Sequence, residues 1–310
     1  MRQKALVTGG AGFIGSHLTR ALLARGIEVT VLDDLSMGKR ENVPAEALLI
    51  VGDVRSSDAV SEALDGVDVV FHEAARVSVR SSIKLFYDDA DVNFMGTLNL
   101  LQRCADSAVQ RIVFASSMAV YADSERPDPI AEDYVTEPIC PYGIAKLAAE
   151  KYCLQLARDM NIDCHVLRYF NTYGVGQSIT PYVGVITIFI ERLLAGKIPM
   201  IFGDGEQRRD FVHVSDIVAA NLLAMETEER YGLFNVGTGQ ATSVSEIAGM
   251  LCERIAPNIS AEHVAAHPGE LRYSIAGISR IATTLGYAPQ VSITDRLDEV
   301  IESYRVKCSG

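Results

Sequence analysis

The short strand-like run Lys4–Thr8 passes directly into Thr8-Gly9-Gly10-Ala11-Gly12-Phe13-Ile14-Gly15 and from there into the helix-period segment Ile14–Arg25. This is the feature that most restricts the fold. Gly9 permits the tight turn, Gly12 lets backbone approach a bound anion, and Gly15 lets the helix sit close to the strand. A strand delivered through such a turn to a helix N-terminus opens a parallel α/β unit, and the positive helix end is where a pyrophosphate would rest.

The rhythm continues. Glu28–Leu32, Leu48–Val51, Val67–Glu73, Arg111–Ala115 and Asp163–Tyr169 read as further buried strands. Amphipathic segments at Ser56–Leu64, Asp91–Ser107 and Tyr142–Asn161 lie between them. Such alternation predicts a Rossmann-type, doubly wound parallel sheet with helices on both faces, binding ligands at the carboxyl ends of its strands. After Asn171 the chain becomes richer in Gly and Pro, with helices expected near Val185–Ala195, Ser215–Met225 and Ser243–Ile255. We expect a smaller α/β C-terminal lobe there, dividing the chain into residues 1–172 and 173–310 with the two interleaved.

The net charge of −12 excludes a nucleic-acid partner, which needs clustered Lys and Arg. No run of about 18 apolar residues is present, so no membrane span is expected. Met1-Arg2-Gln3-Lys4 precedes the first strand without an apolar leader, and a cytoplasmic protein is expected. The six cysteines lack any C-x-x-C spacing and read as reduced thiols, with neither a disulfide framework nor a metal site.

Asp33 and Asp34 end the second strand run. A carboxylate there accepts from a ribose 2′-hydroxyl and repels a 2′-phosphate, which selects NAD over NADP; Lys39 and Arg40 read as solvated surface. Asp53, after the third strand, stands either where an adenine amino group is read or as a helix N-cap.

Tyr142 and Lys146 are four residues apart, on one face of one helix. A free phenol, with a pKa of about 10, is a poor base at neutral pH. A neighbouring ammonium favours phenolate. Ser117, at the carboxyl end of another strand, could hold the same substrate oxygen. These three groups suit removal of a proton from an alcohol as its hydride leaves for a nicotinamide.

With these motifs the chain resembles the extended short-chain dehydrogenase/reductases, the NAD-dependent epimerase/dehydratase family, and most of all its UDP-glucose 4-epimerase-like members. The matching stretches are TGGAGFIGS at 8–16, LDDLSMGK at 32–39, GDVR at 52–55, HEAA at 72–75 and VNFMGTLNLL at 92–101. They continue with SSMAVYA at 116–122, PYGIAK at 141–146, RYFNTYG at 168–174, GDGEQRRDFVHVSD at 203–216, NVGTG at 235–239 and PGELR at 268–272. The resemblance implies that Gly9, Gly12, Phe13, Ile14, Asp33, Ser36, Asp53, Val54, Ala74, Ala75 and Asn93 line an NAD site, retained through turnover. Asp34, Met37, Gly38, Tyr142 and Lys146 would also touch NAD, and Tyr169 would shield its nicotinamide. It gives Asn171 and Arg209 to a nucleotide diphosphate, Ile201 and Phe202 to the base, and Glu270 to ribose hydroxyls. Arg209 could instead pair with Asp210. His267 stands where galactose 4-epimerase-like relatives carry Arg, and Tyr173 and Tyr182 would border the sugar pocket. The helices at Asp91–Ser107 and Tyr142–Asn161 would pair two copies into a homodimer.

The expected substrate is therefore a nucleotide sugar, a UDP-hexose or UDP-N-acetylhexosamine, oxidised at C4. A 4-epimerase then needs no acid beyond Tyr142. A 4,6-dehydratase would need further acid–base groups, and where such relatives carry Asp-Glu this chain has Met118-Ala119. Ala122 replaces a usual glycine, and the Val77–Arg80 loop offers no carboxylate. Cys140, two residues before Tyr142, keeps a variant 5,6- or 4,6-elimination open, since a thiol can move a proton. A non-catalytic NAD-binding regulator is a third reading, opposed by the retention of Tyr142, Lys146 and Arg209.

Overall fold

A computed structural model describes residues 3–77, 79–124, 126–177, 184–266 and 272–308. The N-terminal lobe runs β1 (Lys4–Thr8), α1 (Phe13–Ala24), β2 (Glu28–Asp33), β3 (Leu48–Val51), α2 (Ser57–Ala63) and β4 (Val69–His72). Two short helices follow, α3 (Val79–Lys84) and α4 (Phe86–Ala90), then α5 (Gly96–Ala105), β5 (Arg111–Ser117), the long α6 (Pro141–Asp159) and β6 (Asp163–Tyr169). The single helix expected over 91–107 is interrupted: Asp91–Met95 forms a π-helical turn that leads into α5.

The remaining elements are β7 (Asn171–Tyr173), α7 (Val185–Leu194), β8 (Met200–Phe202), β9 (Arg208–Arg209), β10 (Phe211–His213) and α8 (Val214–Glu226). Then come β11 (Tyr231–Val236), β12 (Thr242–Ser243), α9 (Val244–Ile255), β13 (Glu262–Val264), β14 (Tyr273–Ser274), α10 (Ser279–Leu285) and α11 (Ile293–Cys308). The central sheet is seven-stranded and parallel, in the order β11-β6-β5-β4-β1-β2-β3. Strand order reverses between β1 and β4, and the carboxyl ends on either side of that point open a crevice for ligands. Residues 214–236 return to this sheet after residue 172: α8 packs on α1, and β11 pairs with β6 from Tyr231↔Cys164 to Val236↔Tyr169.

One core lies on each face of the sheet. Leu18, Leu22, Val31, Phe71, Leu167 and Ile217 fill the α1/α8 side. Leu6, Leu32, Leu100, Phe114, Ala149 and Val166 fill the α5/α6 side. At about 25 cal/mol per Å² of apolar surface removed from water, these layers dominate the stabilisation. A third core, from α7, α9 and α11, supports the C-terminal lobe. The five cysteines whose side chains are described (104, 140, 153, 164, 252) are buried free thiols. Among the described residues no helix is long and apolar enough to cross a membrane.

Candidate active site

The glycine turn forms as its spacing requires. Gly9 adopts φ +71°, and a Cβ there would stand 2.7 Å from the Ala74 backbone nitrogen. A Cβ on Gly15 would meet the Gly9 carbonyl at 2.3 Å, so α1 can lie against the turn only with glycine at that position. Gly12 is the N-cap of α1, with no side chain capping it, so the first-turn N–H groups are left for an anion. Asp33 accepts from the Ala11 N–H (2.9 Å) and the Leu35 N–H (2.9 Å), tying β2 to the turn. Burial raises its pKa above the ordinary carboxylate value, and those two donors oppose the rise.

Asp34 is exposed and accepts from the N–H and hydroxyl of Ser36. Met37 is exposed, and Gly38 lies so near Ala11 that a Cβ would meet its carbonyl carbon at 2.7 Å. Phe13 and Ile14 open α1, with Val54, Ala74 and Ala75 across the crevice at the ends of β3 and β4. Asn93 accepts from the Arg76 N–H and donates to its carbonyl (2.9 Å each), clamping the loop after β4. Asp53 is not a helix cap: Ser56 caps α2, while Asp53 accepts from the backbone and guanidinium of Arg55, which hold its carboxyl below the usual range. Uncapped N–H groups, a glycine cradle and the Asp33 and Asp34 carboxylates together fit a dinucleotide without a 2′-phosphate.

The catalytic candidates converge at the ends of β5 and β6. Ser117 ends β5 opposite Tyr169 of β6, and its hydroxyl accepts from the Ala119 N–H at 3.2 Å. Gly143 explains how α6 comes so close: a Cβ there would stand 2.1 Å from the Ala119 carbonyl. Tyr142 thereby approaches Ser117, whose hydroxyl favours ionisation of the phenol. Burial wins, however, and pushes the phenol above its ordinary value, with Asp89, Cys140 and Glu73 adding to the rise. Lys146 is 2% exposed; its ammonium donates to the Ala115 carbonyl (2.9 Å) and lies 4.9 Å from the Phe114 ring centroid. Burial lowers its pKa to about 8.

Cys140 is the N-cap of α6, its Sγ accepting from the Gly143 N–H at 3.4 Å, and burial raises its thiol pKa. Both facts oppose a thiolate working on substrate and give the sulfur a structural task.

Across the crevice, Asn171 lies beside the segment carrying Arg209. Its N–H and side-chain amide both donate to the Asp210 carbonyl, at 3.0 and 3.4 Å. Arg209 donates to the carbonyls of Arg208 (2.9 Å) and Arg272 (3.3 Å). The Asp210 carboxylate is turned instead to the N–H groups of Thr238, Gly239 and Ala276 and to the Thr238 hydroxyl. The alternative expected for Arg209, an ion pair with Asp210, is therefore not formed. Phe202 is half-buried on β8, but Ile201 is 2% exposed and belongs to the third core. Tyr173 does not border a sugar pocket either: it is 1% exposed in that core and donates to the Ser292 carbonyl. His267, Glu270 and Tyr182 lie outside the described residues.

Two side chains at the centre were not singled out from the sequence. Tyr169 donates to Glu73 (2.7 Å), and Asn221 of α8 donates to the Tyr169 hydroxyl (2.7 Å). Glu73 was visible as the one acid inside HEAA; Asn221 carries no local signal.

The sequence model described as the NAD dependent epimerase/dehydratase family matches residues 5–237. A putative UDP-glucose 4-epimerase of Methanocaldococcus jannaschii is 36% identical over 298 residues, covering 96% of each chain. The crystal structure of a UDP-glucose 4-epimerase from Thermotoga maritima, with UDP-glucose, superposes with a TM-score of 0.95 at 37% identity, over 99% of this chain and 100% of that one. A UDP-glucose 4-epimerase from Thermus thermophilus, in complex with NAD, gives 0.90 at 35% identity, over 98% and 99%. The chain belongs to the NAD dependent epimerase/dehydratase family.

Proposed function

We propose that the protein is an NAD-dependent epimerase that inverts C4 of a nucleotide sugar, a UDP-hexose or UDP-N-acetylhexosamine, through a 4-keto intermediate. The observation that carries this reading is the convergence of Ser117, Tyr142 and a buried Lys146 at the ends of β5 and β6. The same chemistry in the relatives, UDP-glucose 4-epimerases by name, supports it.

Gly9, Gly12, Phe13, Ile14, Asp33, Asp34, Ser36, Met37, Gly38, Asp53, Val54, Ala74, Ala75 and Asn93 form the cofactor side, with Tyr169 against the reacting end. When bound, NAD supplies a reversible hydride acceptor. The chain's own part is proton handling and positioning. Tyr142 takes the proton of the C4 hydroxyl, Ser117 holds the same oxygen, and the Lys146 ammonium supports the phenolate. The phenol returns the proton once the other face of the keto sugar is presented. Asn171 and Arg209 hold the diphosphate, Phe202 flanks the base, and His267 and Glu270 complete the nucleotide site. Arg209 is suited to phosphate because a planar guanidinium can bind two oxygens at once.

Elimination would need a second proton carrier, and Met118 and Ala119 cannot serve. Cys140→Ser should retain epimerisation within a few-fold and cap α6 at least as well, because serine is a favoured N-cap. A loss comparable to that of Tyr142→Phe in steady-state kinetics would revive the dehydratase reading.

We also place the protein in the cytoplasm and pair it as a homodimer through α5 and α6. Exposed apolar side chains there, Ile144 and Tyr152, with Met95 just before α5, support the pairing, which the mass in solution tests.

The function is tested by incubating the protein with UDP-glucose, UDP-galactose and their N-acetylhexosamine counterparts in deuterated buffer. A gluco/galacto mixture without deuterium at C5 is expected; loss of water with new alkene or 4-keto signals would overturn it.

A further inference from the structure

Glu73 has no part in the reaction proposed above, yet it stands in the middle of the site. It follows His72, the last residue of β4, which pairs with Phe114 of β5. Glu73 is therefore level with Ala115, whose carbonyl holds Lys146. From the other side, Tyr169 of β6 donates to its carboxylate, and Asn221 of α8 holds the Tyr169 hydroxyl. The half-buried Glu73 carboxyl is thus held by Tyr169 and is near enough to the buried Lys146 ammonium to act on its charge.

We propose that Glu73 is a positioning residue that acts through its neighbours: its carboxyl group fixes the ring of Tyr169 and supplies the counter-charge that keeps Lys146 an ammonium. The inference rests on the role given above to Tyr142 and Lys146, and it concerns what sets their charge. Around Lys146, Glu73 is foremost of the groups favouring the protonated amine, ahead of Cys153, Asp89 and Glu150. Burial raises Glu73 itself to about 7, with Tyr169 and Lys146 drawing it back down. Among the described residues, the titratable groups facing this pair are Tyr142, Glu150 and Cys153 from α6, Asp89 from α4, His72 from β4 and Tyr169 from β6.

The direction of the effect follows. A Glu73 carboxylate holds the proton on Lys146 and thereby preserves the charge that stabilises a Tyr142 phenolate. Without it, burial acts on Lys146 against the smaller pull of Cys153, Asp89 and Glu150, and the ammonium is lost at lower pH. An apolar side chain at this position would remove the acceptor for Tyr169 as well.

The test uses the NAD-loaded protein labelled with [ε-13C]lysine, the Lys146 resonance being assigned by its loss in Lys146→Arg. Glu73→Gln keeps an acceptor for Tyr169 but removes the charge. We expect the Lys146 midpoint to fall by about one pH unit, and the alkaline limb of the rate profile to move with it. Glu73→Asp, which restores the charge, should return the midpoint towards its original value. In the unmodified protein the Lys146 resonance should also record a separate step where Glu73 titrates. An unchanged midpoint in Glu73→Gln, equal midpoints in the Gln and Asp variants, or no such step in the unmodified protein overturns the proposal. Failure of the epimerase reading would show differently: no C4 inversion in the unmodified protein, with the lysine titration still measurable.

Discussion

Tyr142→Phe is expected to lower kcat about a thousandfold while leaving KM, the melting temperature and the retained NAD close to their original values. The magnitude follows from what is removed: a positioned general base contributes about 10² to 10⁴ in rate. A loss in kcat without a rise in KM marks a group needed in the transition state and not for substrate binding. The ring remains, so the 7%-exposed site beside Ser117 stays filled and no cavity forms. The pH dependence follows from the same geometry. Burial raises Tyr142 above its ordinary value, so its phenolate needs the Lys146 charge. That ammonium is present below about pH 8 and lost above it, and activity of the unmodified protein should fall as pH rises through that value. Single-turnover rates, NAD content after denaturation and a kcat–pH profile check all three. Residual activity within tenfold of the original would move the base to another group.

The motif residues were legible because their spacing maps directly onto local geometry. Four residues on one helix put Tyr142 and Lys146 on one face, and three glycines between strand and helix shape one kind of turn. The parallel strands were legible because each is an apolar run bounded by turn residues. β11 was not. Its sequence, Tyr231-Gly232-Leu233-Phe234-Asn235-Val236, contains two poor strand formers, and tertiary contacts justify both. A Cβ on Gly232 would meet the Phe234 ring at 2.2 Å. The Asn235 side chain accepts from the Tyr121 hydroxyl and donates to the Ile130 carbonyl. Tyr173 misled for the opposite reason: a motif aromatic near the nucleotide site reads as pocket lining until α11 is seen to supply part of the core that buries it. Glu73 escaped notice because an acid is unremarkable in sequence, and only the neighbouring strands show what surrounds it.

Arg168→Met should be the most destabilising conservative change in the N-terminal lobe, costing about 3–5 kcal/mol by the usual effect of removing one partner of a buried ion pair. Arg168 of β6 and Glu150 of α6 are paired with both side chains 3% exposed. Arg168 also donates to the Glu132 carbonyl at 3.2 Å and lies 4.6 Å from the Tyr121 ring centroid. Glu150 accepts from the Ser116 hydroxyl at 2.8 Å as well. Removal of the guanidinium leaves a core carboxylate with that hydroxyl as its hydrogen-bond donor, and the melting temperature should fall by about 10 °C. Arg168→Met combined with Glu150→Gln removes the orphaned charge while keeping an acceptor for Ser116. The double variant should therefore be more stable than the sum of the single changes, a coupling that thermal unfolding of the four proteins measures. The consequence reaches the active site, because Glu150 stands one helical turn after Lys146 and Arg168 immediately precedes Tyr169. The pair locks α6 to β6 at the level where Lys146, Glu73 and Tyr169 meet. If the pair is an anchor for that arrangement, the double variant should recover kcat along with stability. Recovery of stability without kcat would mean that the guanidinium's own charge reaches the catalytic groups, and strict additivity would mean that α6 and β6 are held together by their apolar contacts alone.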